Sequence, residues 1–378
     1  MSAPFKGNFV LITRHFTNAL AALFLIFFGL ACQKDQEPVE PVSTGPTPIA
    51  WTKPKHFPDP VYDMSRNPLT EEGVELGRFL FYDGILSRTN QIGCGTCHQQ
   101  EAAFTHHGHE LSHGVDDLLG TRNSPAVQNM AWNTSFFWDG GVHDLDLLPF
   151  NPIQNPVEMD ETVKNVITKL QATPLPTAKK AVDYPQMFKK AFGTEEITSE
   201  RMMKALSQFM LTMVSAESRY DYYKMGDQSA LNADEKQGMA LFQAKCSSCH
   251  AGELFTDYSF RNNGLVPLRI DDKGRFGISA NNADLYKFKV PSLRNVGLTA
   301  PYMHDGRFHT LEEVLDHYSD SIKPSATLDS VFIRQGEKPG ITLSDAEKKS
   351  IIAFLRSLND EQFIRNAKLS DPGVGTNF

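Results

Sequence analysis

Two five-residue segments constrain this chain more than anything else in it: Cys94-Gly-Thr-Cys97-His98 and Cys246-Ser-Ser-Cys249-His250. Each reads C-x-x-C-H, the attachment pattern of c-type haem. The spacing follows from the chemistry. Two thiols must reach the two vinyl groups on one porphyrin edge, and the histidine that follows must turn beneath the ring to give the iron its proximal nitrogen. A zinc ribbon would set its cysteine pairs about 15–20 residues apart, whereas His98 and His250 are 152 positions apart. A redox dithiol has no use for a histidine after its second cysteine twice over. The chain is therefore expected to bind two haem c groups covalently, one through Cys94, Cys97 and His98, the other through Cys246, Cys249 and His250. The two histidines are the expected iron ligands.

The fifth cysteine, Cys32, has a different context. Lys6 and Arg14 precede an apolar run from Ala19 to Ala31 that ends in small residues. A basic region, a hydrophobic stretch and a small-residue end make a secretory signal, and the run falls short of the roughly 20 residues of a transmembrane helix. Gly29-Leu30-Ala31-Cys32 resembles a bacterial lipobox, with Gly29 where that pattern usually has leucine. Residues 1–31 are thus expected to be a signal peptide, with lipidation at Cys32; plain cleavage or an uncleaved anchor stays open. The implied location is the bacterial cell envelope, on its periplasmic or surface side, with membrane contact through the lipid alone. Residues 32–55, rich in Pro, Glu, Gln and Thr, read as a flexible tether.

Beyond the tether the composition becomes globular. The expected fold class is mainly α: two cytochrome c-like helical domains, each with one haem, and long loops. Gly77-Arg-Phe-Leu80-Phe81 upstream of the first motif is echoed by Gly238-Met-Ala-Leu241-Phe242 upstream of the second. Each closes a helical pattern that begins at a capping residue, Thr70 or Asn232. The echo suggests domains over 56–215 and 216–365, with the seam after the helical run Ser199 to Ser215, and a tail over 366–378. Ser344-Asp-Ala-Glu347 is a capping box ahead of an apolar stripe, Ile351, Phe354, Leu355 and Leu358. A formal net charge of -8 argues against nucleic acid as a partner, because phosphate binding needs clustered Lys and Arg.

Six further segments resemble those of the bacterial di-haem cytochrome c peroxidase and MauG superfamily: Thr121-Arg-Asn-Ser-Pro125, Phe137-Trp-Asp-Gly140, Asn155-Pro-Val-Glu-Met159, Asp272-Lys-Gly-Arg-Phe276, Val290-Pro-Ser-Leu-Arg-Asn295 and Pro301-Tyr-Met-His-Asp-Gly306. They occur in the family's order and span most of the chain from about residue 65 to 358. The resemblance implies a peroxidatic haem on His98 and an electron-entry haem on His250. Trp138 matches the tryptophan between the haems, where an indole is a stepping stone for an electron; a buried core tryptophan is the alternative. Glu158 matches the distal acid that shuttles a proton between the two peroxide oxygens. Leu148 stands where the family often has glutamine, which implies a less polar pocket.

Three further assignments rest on the same resemblance. His113 occupies the loop from which a histidine caps the resting peroxidatic iron in some members, although Leu111-Ser-His-Gly-Val115 looks equally like the MauG-type loop, which needs none. Tyr318, fourteen residues beyond His304, stands at the axial-ligand position of the second haem, where peroxidases place methionine and MauG-type members tyrosine. A core tyrosine, or His317 or Met303 as the ligand, are the alternatives. A calcium ion would take the Asn123 side chain and the carbonyls of Thr299 and Pro301, since oxygen ligands suit calcium.

Three functions fit these residues. The first is reduction of hydrogen peroxide with electrons from a small cytochrome c or copper protein. The second is a MauG-like oxidase that modifies a partner protein through high-valent iron, a reading Tyr318 keeps open. The third is a non-enzymatic electron carrier or sensor, against which Glu158 speaks. Related enzymes are often dimers, but no interface is legible in the sequence.

Overall fold

The computed structural model describes Met1 and residues 45–172, 174–176 and 181–375. The expected signal segment from residue 2 onward, Cys32 and the first part of the tether lie outside those residues. What is described is mainly helical, with two short two-stranded antiparallel sheets. No helix among the described residues is long and apolar enough to cross a membrane.

Five helices carry the architecture: α1 (Glu71–Tyr82), α2 (Ser199–Thr212), α3 (Ala233–Lys245), α4 (Leu311–Asp316) and α5 (Asp345–Arg356). Their starts are written in the sequence. Thr70 Oγ1 accepts from the Gly73 N–H at 3.0 Å and opens α1. Asn232 and Glu235 form a reciprocal capping box on α3, and Ser344 and Glu347 form one on α5. Each box satisfies N–H groups that the first helical turn leaves without partners.

Two helix pairs repeat one design. Helix α1 packs on α2, and α3 packs on α5. Both crossings run through a glycine at the same place in the echoed sequence. A Cβ on Gly77 would stand 1.9 Å from the Ala205 carbonyl oxygen, and one on Gly238 would stand 1.9 Å from the Ser350 carbonyl oxygen. Only hydrogen at that position lets the backbones approach so closely. The repeat extends into the loops: Asn129 and Asn295 both adopt positive φ, and their N–H groups donate to the carbonyls of Met213 and Leu358 respectively.

Around each pair lies a hydrophobic cluster. The first holds Leu76, Leu80, Phe104, Phe188 and Phe209; the second holds Phe242, Phe255, Ile351, Phe354 and Leu358. A buried ion pair ties them. Arg294 donates to Asp221 at 2.8 and 3.0 Å with both side chains fully buried, and its guanidinium lies over the ring of Phe57 in the first cluster. His56 Nε2 adds a 2.7 Å contact to the same carboxylate.

Part of the expected flexible tether and part of the expected tail are packed on the body. Within the expected tether, the Ile49 N–H donates to the Leu69 carbonyl and the Trp51 indole donates to the Leu211 carbonyl. Trp51 also packs against the first cluster and tilts over Trp132. In the expected tail, Leu369 and Val374 are buried in that cluster, while Arg78 and Tyr82 of α1 donate to the carbonyls of Ser370 and Leu369. Both segments contain enough apolar surface to be worth burying, yet neither has the periodicity that flags a helix or strand.

Candidate functional site

The first motif forms a one-turn helix, Cys94–Cys97, directly after α1 and its following loop. Gly95 is required there, because a Cβ would stand 2.4 Å from the Tyr82 ring. All four cysteines of the two motifs are free of disulfides. Burial pushes Cys94 up to about 12 and Cys97 up to about 11, so both are thiols at neutral pH. His98 Nδ1 lies 2.9 Å from the Phe104 carbonyl. A carbonyl only accepts, so Nδ1 carries the proton and Nε2 keeps its lone pair for a metal. Burial lowers the His98 pKa and holds the ring neutral, which a metal ligand needs.

The second motif repeats these features. Cys246 caps the C-terminus of α3, and His250 Nδ1 lies 3.1 Å from the Phe255 carbonyl. Burial again lowers the histidine. Each site thus holds two thiols and a neutral imidazole with a fixed tautomer, a donor set that fits covalently attached haem.

Cys246, Cys249 and His250 open into a cavity of about 280 Å³ whose wall includes Trp138, Met303 and Tyr318. Tyr318 reaches it from an unusual backbone: α4 widens at its end into a π-helical turn over His317–Ser321. Such turns are rare and cluster at functional sites. Burial raises the Tyr318 hydroxyl to about 12, with a hydrogen bond to Asn263 opposing the shift and the thiols of Cys249 and Cys246 close enough to add to it. His317 does not line the cavity; its Nε2 is engaged with the Asn263 carbonyl at 2.9 Å. Met303 does line it, and its sulfur accepts from Asn263 Nδ2 at 3.5 Å. Asn263 therefore touches all three candidate axial ligands. Sequence reasoning missed it, since an asparagine in Asn262-Asn263-Gly264 looks like turn chemistry.

Trp138 stands on the wall of this cavity. Its indole N–H donates to the Asn123 carbonyl at 2.8 Å. Asn123 is buried and its amide donates to the carbonyls of His109 and Glu110. Asn123, Thr299 and Pro301 all lie on the cavity wall. Among the described residues no group of three or more His, Cys, Asp or Glu is arranged to hold a metal ion.

Glu158 follows the short helix Phe150–Gln154 and accepts from Asn155 Nδ2 at 2.6 Å. Burial raises its pKa. The His113 loop lies directly on it. The Val115 N–H donates to the Glu158 carbonyl at 2.7 Å, and a Cβ on Gly114 would stand 2.4 Å from that oxygen. The His113 carbonyl accepts from the Cys97 thiol, while the ring, 40% exposed, engages Asp117 at 2.6 Å. Leu148 packs against the first cluster. The neighbouring histidines are more ordered than loosely spaced loop residues would be. His106 is buried, stacks on His109 with ring centroids 4.1 Å apart, and bonds Ser112 Oγ at 3.0 Å. Burial, then the neighbouring histidines, lower His106 to about 4.

The sequence model of the family described as di-haem cytochrome c peroxidase matches residues 71–229. The methylamine utilization protein MauG of Methylorubrum extorquens is 37% identical over 314 residues, covering 82% of this chain and 84% of that protein. The cytochrome c551 peroxidase of Pseudomonas aeruginosa is 33% identical over 318 residues, covering 82% and 84% respectively. Among solved structures, a MauG-like protein associated with microbial copper homeostasis aligns with a TM-score of 0.75 at 32% identity, over 86% of this chain and 99% of that one.

Proposed function

This chain belongs to the di-haem cytochrome c peroxidase and MauG superfamily, and from that premise we propose that it reduces hydrogen peroxide to water with electrons from a small cytochrome or copper protein. It is a cytochrome c peroxidase-type oxidoreductase by kinship, and the finer assignment rests on its own residues. Cys94, Cys97 and His98 would hold the haem that meets peroxide, and Cys246, Cys249 and His250 the haem that receives electrons. Haem bound there would supply one-electron redox chemistry at iron.

The rest falls to side chains. Glu158 takes a proton from one peroxide oxygen and returns it to the other, the task of a positioned general acid/base. Its burial suits that role, since a raised pKa brings a carboxyl nearer neutrality. Asn155 holds the carboxylate in place from one side. Trp138, bonded through its indole to the Asn123 carbonyl on the cavity wall, is the stepping stone we propose for electrons passing between the two haems. Asn123, with the carbonyls of Thr299 and Pro301, is the calcium position we propose, a brace for the same wall. The chain would work in the cell envelope, tethered at Cys32.

The single observation that carries this reading is the half-buried Glu158 carboxyl, whose backbone packs on the loop that meets Cys97 and which an electron carrier would not need. Steady-state consumption of peroxide by the doubly haem-loaded protein, with reduced cytochrome c as donor, tests it. Vigorous turnover is expected; its absence with every donor offered would overturn the reading.

Tyr318 on the wall of the His250 cavity supports a second reading, a MauG-like oxidase of a partner protein. That reading predicts a long-lived change in the haem spectrum on adding peroxide without donor, together with negligible turnover.

A further inference from the structure

Four cationic side chains line the cavity that opens from His250: Lys245, Arg261, Lys289 and Arg294. Three have carboxylate partners within the protein. Lys245 pairs with Glu347 at 2.6 Å, Arg261 with Asp257 and Asp329 at 2.8 and 3.0 Å, and Arg294 with Asp221 at 2.8 Å. Lys289 is the exception: among the described residues no carboxylate pairs with it, and its ammonium donates only to the Ser135 carbonyl. The nearest candidate, Asp139, is taken by Arg122 at 2.5 Å.

A lone ammonium against a largely apolar wall is costly, because desolvation penalises the charged form. That cost is visible as a Lys289 pKa lowered to about 8, with Asp139 opposing the shift only from a distance. Its backbone is nonetheless firmly fixed. Lys289 pairs with Phe260 in a two-stranded sheet, and its N–H donates to the Trp138 carbonyl at 2.7 Å. Nearby polar groups are also underused. Asn133, on the same wall, donates its amide only to the Met130 sulfur at 3.5 Å, and the Ser135 hydroxyl is buried without a partner in the protein. A cation held rigidly at a cavity wall, with spare donors close by in sequence, is a receptor for an anion brought by the occupant.

We propose that Lys289 receives a propionate carboxylate of the haem bound by Cys246, Cys249 and His250, with Asn133 as a second donor. This rests on the reading that a haem occupies that cavity. The residue is a positioning and potential-setting one: it neutralises a propionate charge beside the electron-entry iron, and through its backbone bond to Trp138 it fixes that edge of the haem against the proposed electron path.

The test uses the matured protein with both haems, their number checked by mass and by absorbance. Potentiometric titration of Lys289→Gln is expected to shift the Fe(III)/Fe(II) equilibrium of the second haem about tenfold toward Fe(III), which is about 59 mV for a one-electron couple. The first haem stays where it was, and Lys289→Arg stays close to the unsubstituted protein. An unchanged second-haem potential in Lys289→Gln overturns the proposal, as does an equal shift of both haems. If Lys289→Gln fails to mature, resonance Raman spectra of Lys289→Arg and the unsubstituted protein carry the test. A moved propionate bending mode supports the contact, and identical spectra overturn it. Fewer than two haems on the unsubstituted protein would instead sink the underlying haem reading, and this proposal with it.

Discussion

Replacing Gly238 with alanine asks whether a glycine crossing holds the α3–α5 pair together. The new Cβ would stand 1.9 Å from the Ser350 carbonyl oxygen and 2.9 Å from Phe354 Cβ. No rotamer change relieves a clash with backbone, so α3 and α5 must move apart by about an ångström, and gaps of that size forfeit a quarter to a half of each dispersion contact they open. Overpacking of this kind costs about 1–3 kcal/mol, and the helical preference of alanine over glycine returns about 1 kcal/mol. The difference is about 0–2 kcal/mol, and because Phe242, Ile351 and Phe354 lose contact together we expect a net loss at its upper end, about 2 kcal/mol. The displacement should also reach the haem, since Cys246 caps α3. Urea unfolding of the matured protein, followed by far-UV circular dichroism and Soret absorbance, measures both effects. Gly277→Ala is the control: nothing lies within 4 Å of its Cβ position, so it should be neutral or gain up to about 1 kcal/mol. An unfolding midpoint for Gly238→Ala at or above that of the unsubstituted protein would refute the packing argument.

Glu158→Gln should retain peroxide binding while turnover falls by about 10²-fold or more; unchanged turnover means the acid is elsewhere. Because burial raises the Glu158 pKa above 4.5, its contribution to stability is present below that value and lost as pH rises through the raised one. Glu158→Gln should therefore be the more stable protein at neutral pH, with the gap closing in acid, and equal denaturation midpoints at both would contradict this. Tyr318→Met should raise the potential of the second haem, since a thioether favours Fe(II) where a phenolate favours Fe(III); an unmoved potential shows that Tyr318 is not a ligand. Asp221→Asn leaves the fully buried Arg294 without its counter-charge and should cost about 3–5 kcal/mol in chemical denaturation; a loss below about 1 kcal/mol would show the pair to be marginal.

What the sequence made legible was local or repeated. The C-x-x-C-H segments declare their chemistry in five residues, and Thr70, Asn232 and Ser344 each announce a helix within one turn of it. The Gly77 and Gly238 echo marked two related units, though nothing in one sequence says that both glycines serve a backbone contact. The hidden part is long-range and lies in irregular chain. Asn263 meets Met303 and Tyr318 across 40 and 55 positions, and the Ile49 and Leu369 segments return to a core from opposite ends of the body. Lys289 was invisible for another reason. Its lack of a carboxylate partner becomes meaningful only when Lys245, Arg261 and Arg294 are seen on the same wall, each already paired. The stacking of His106 on His109 likewise depends on how the loop closes, which spacing alone does not fix.

Two macrocycles, one joined to Cys94 and Cys97 and the other to Cys246 and Cys249, are the central expectation. Intact-mass spectrometry of protein matured in a host competent for c-type cytochrome assembly, read beside its Soret absorbance, measures this directly. The prediction is a mass increased by two haems per chain, falling to one when either cysteine pair is replaced by alanine. A mass equal to that of the bare polypeptide, with no Soret band, would contradict it.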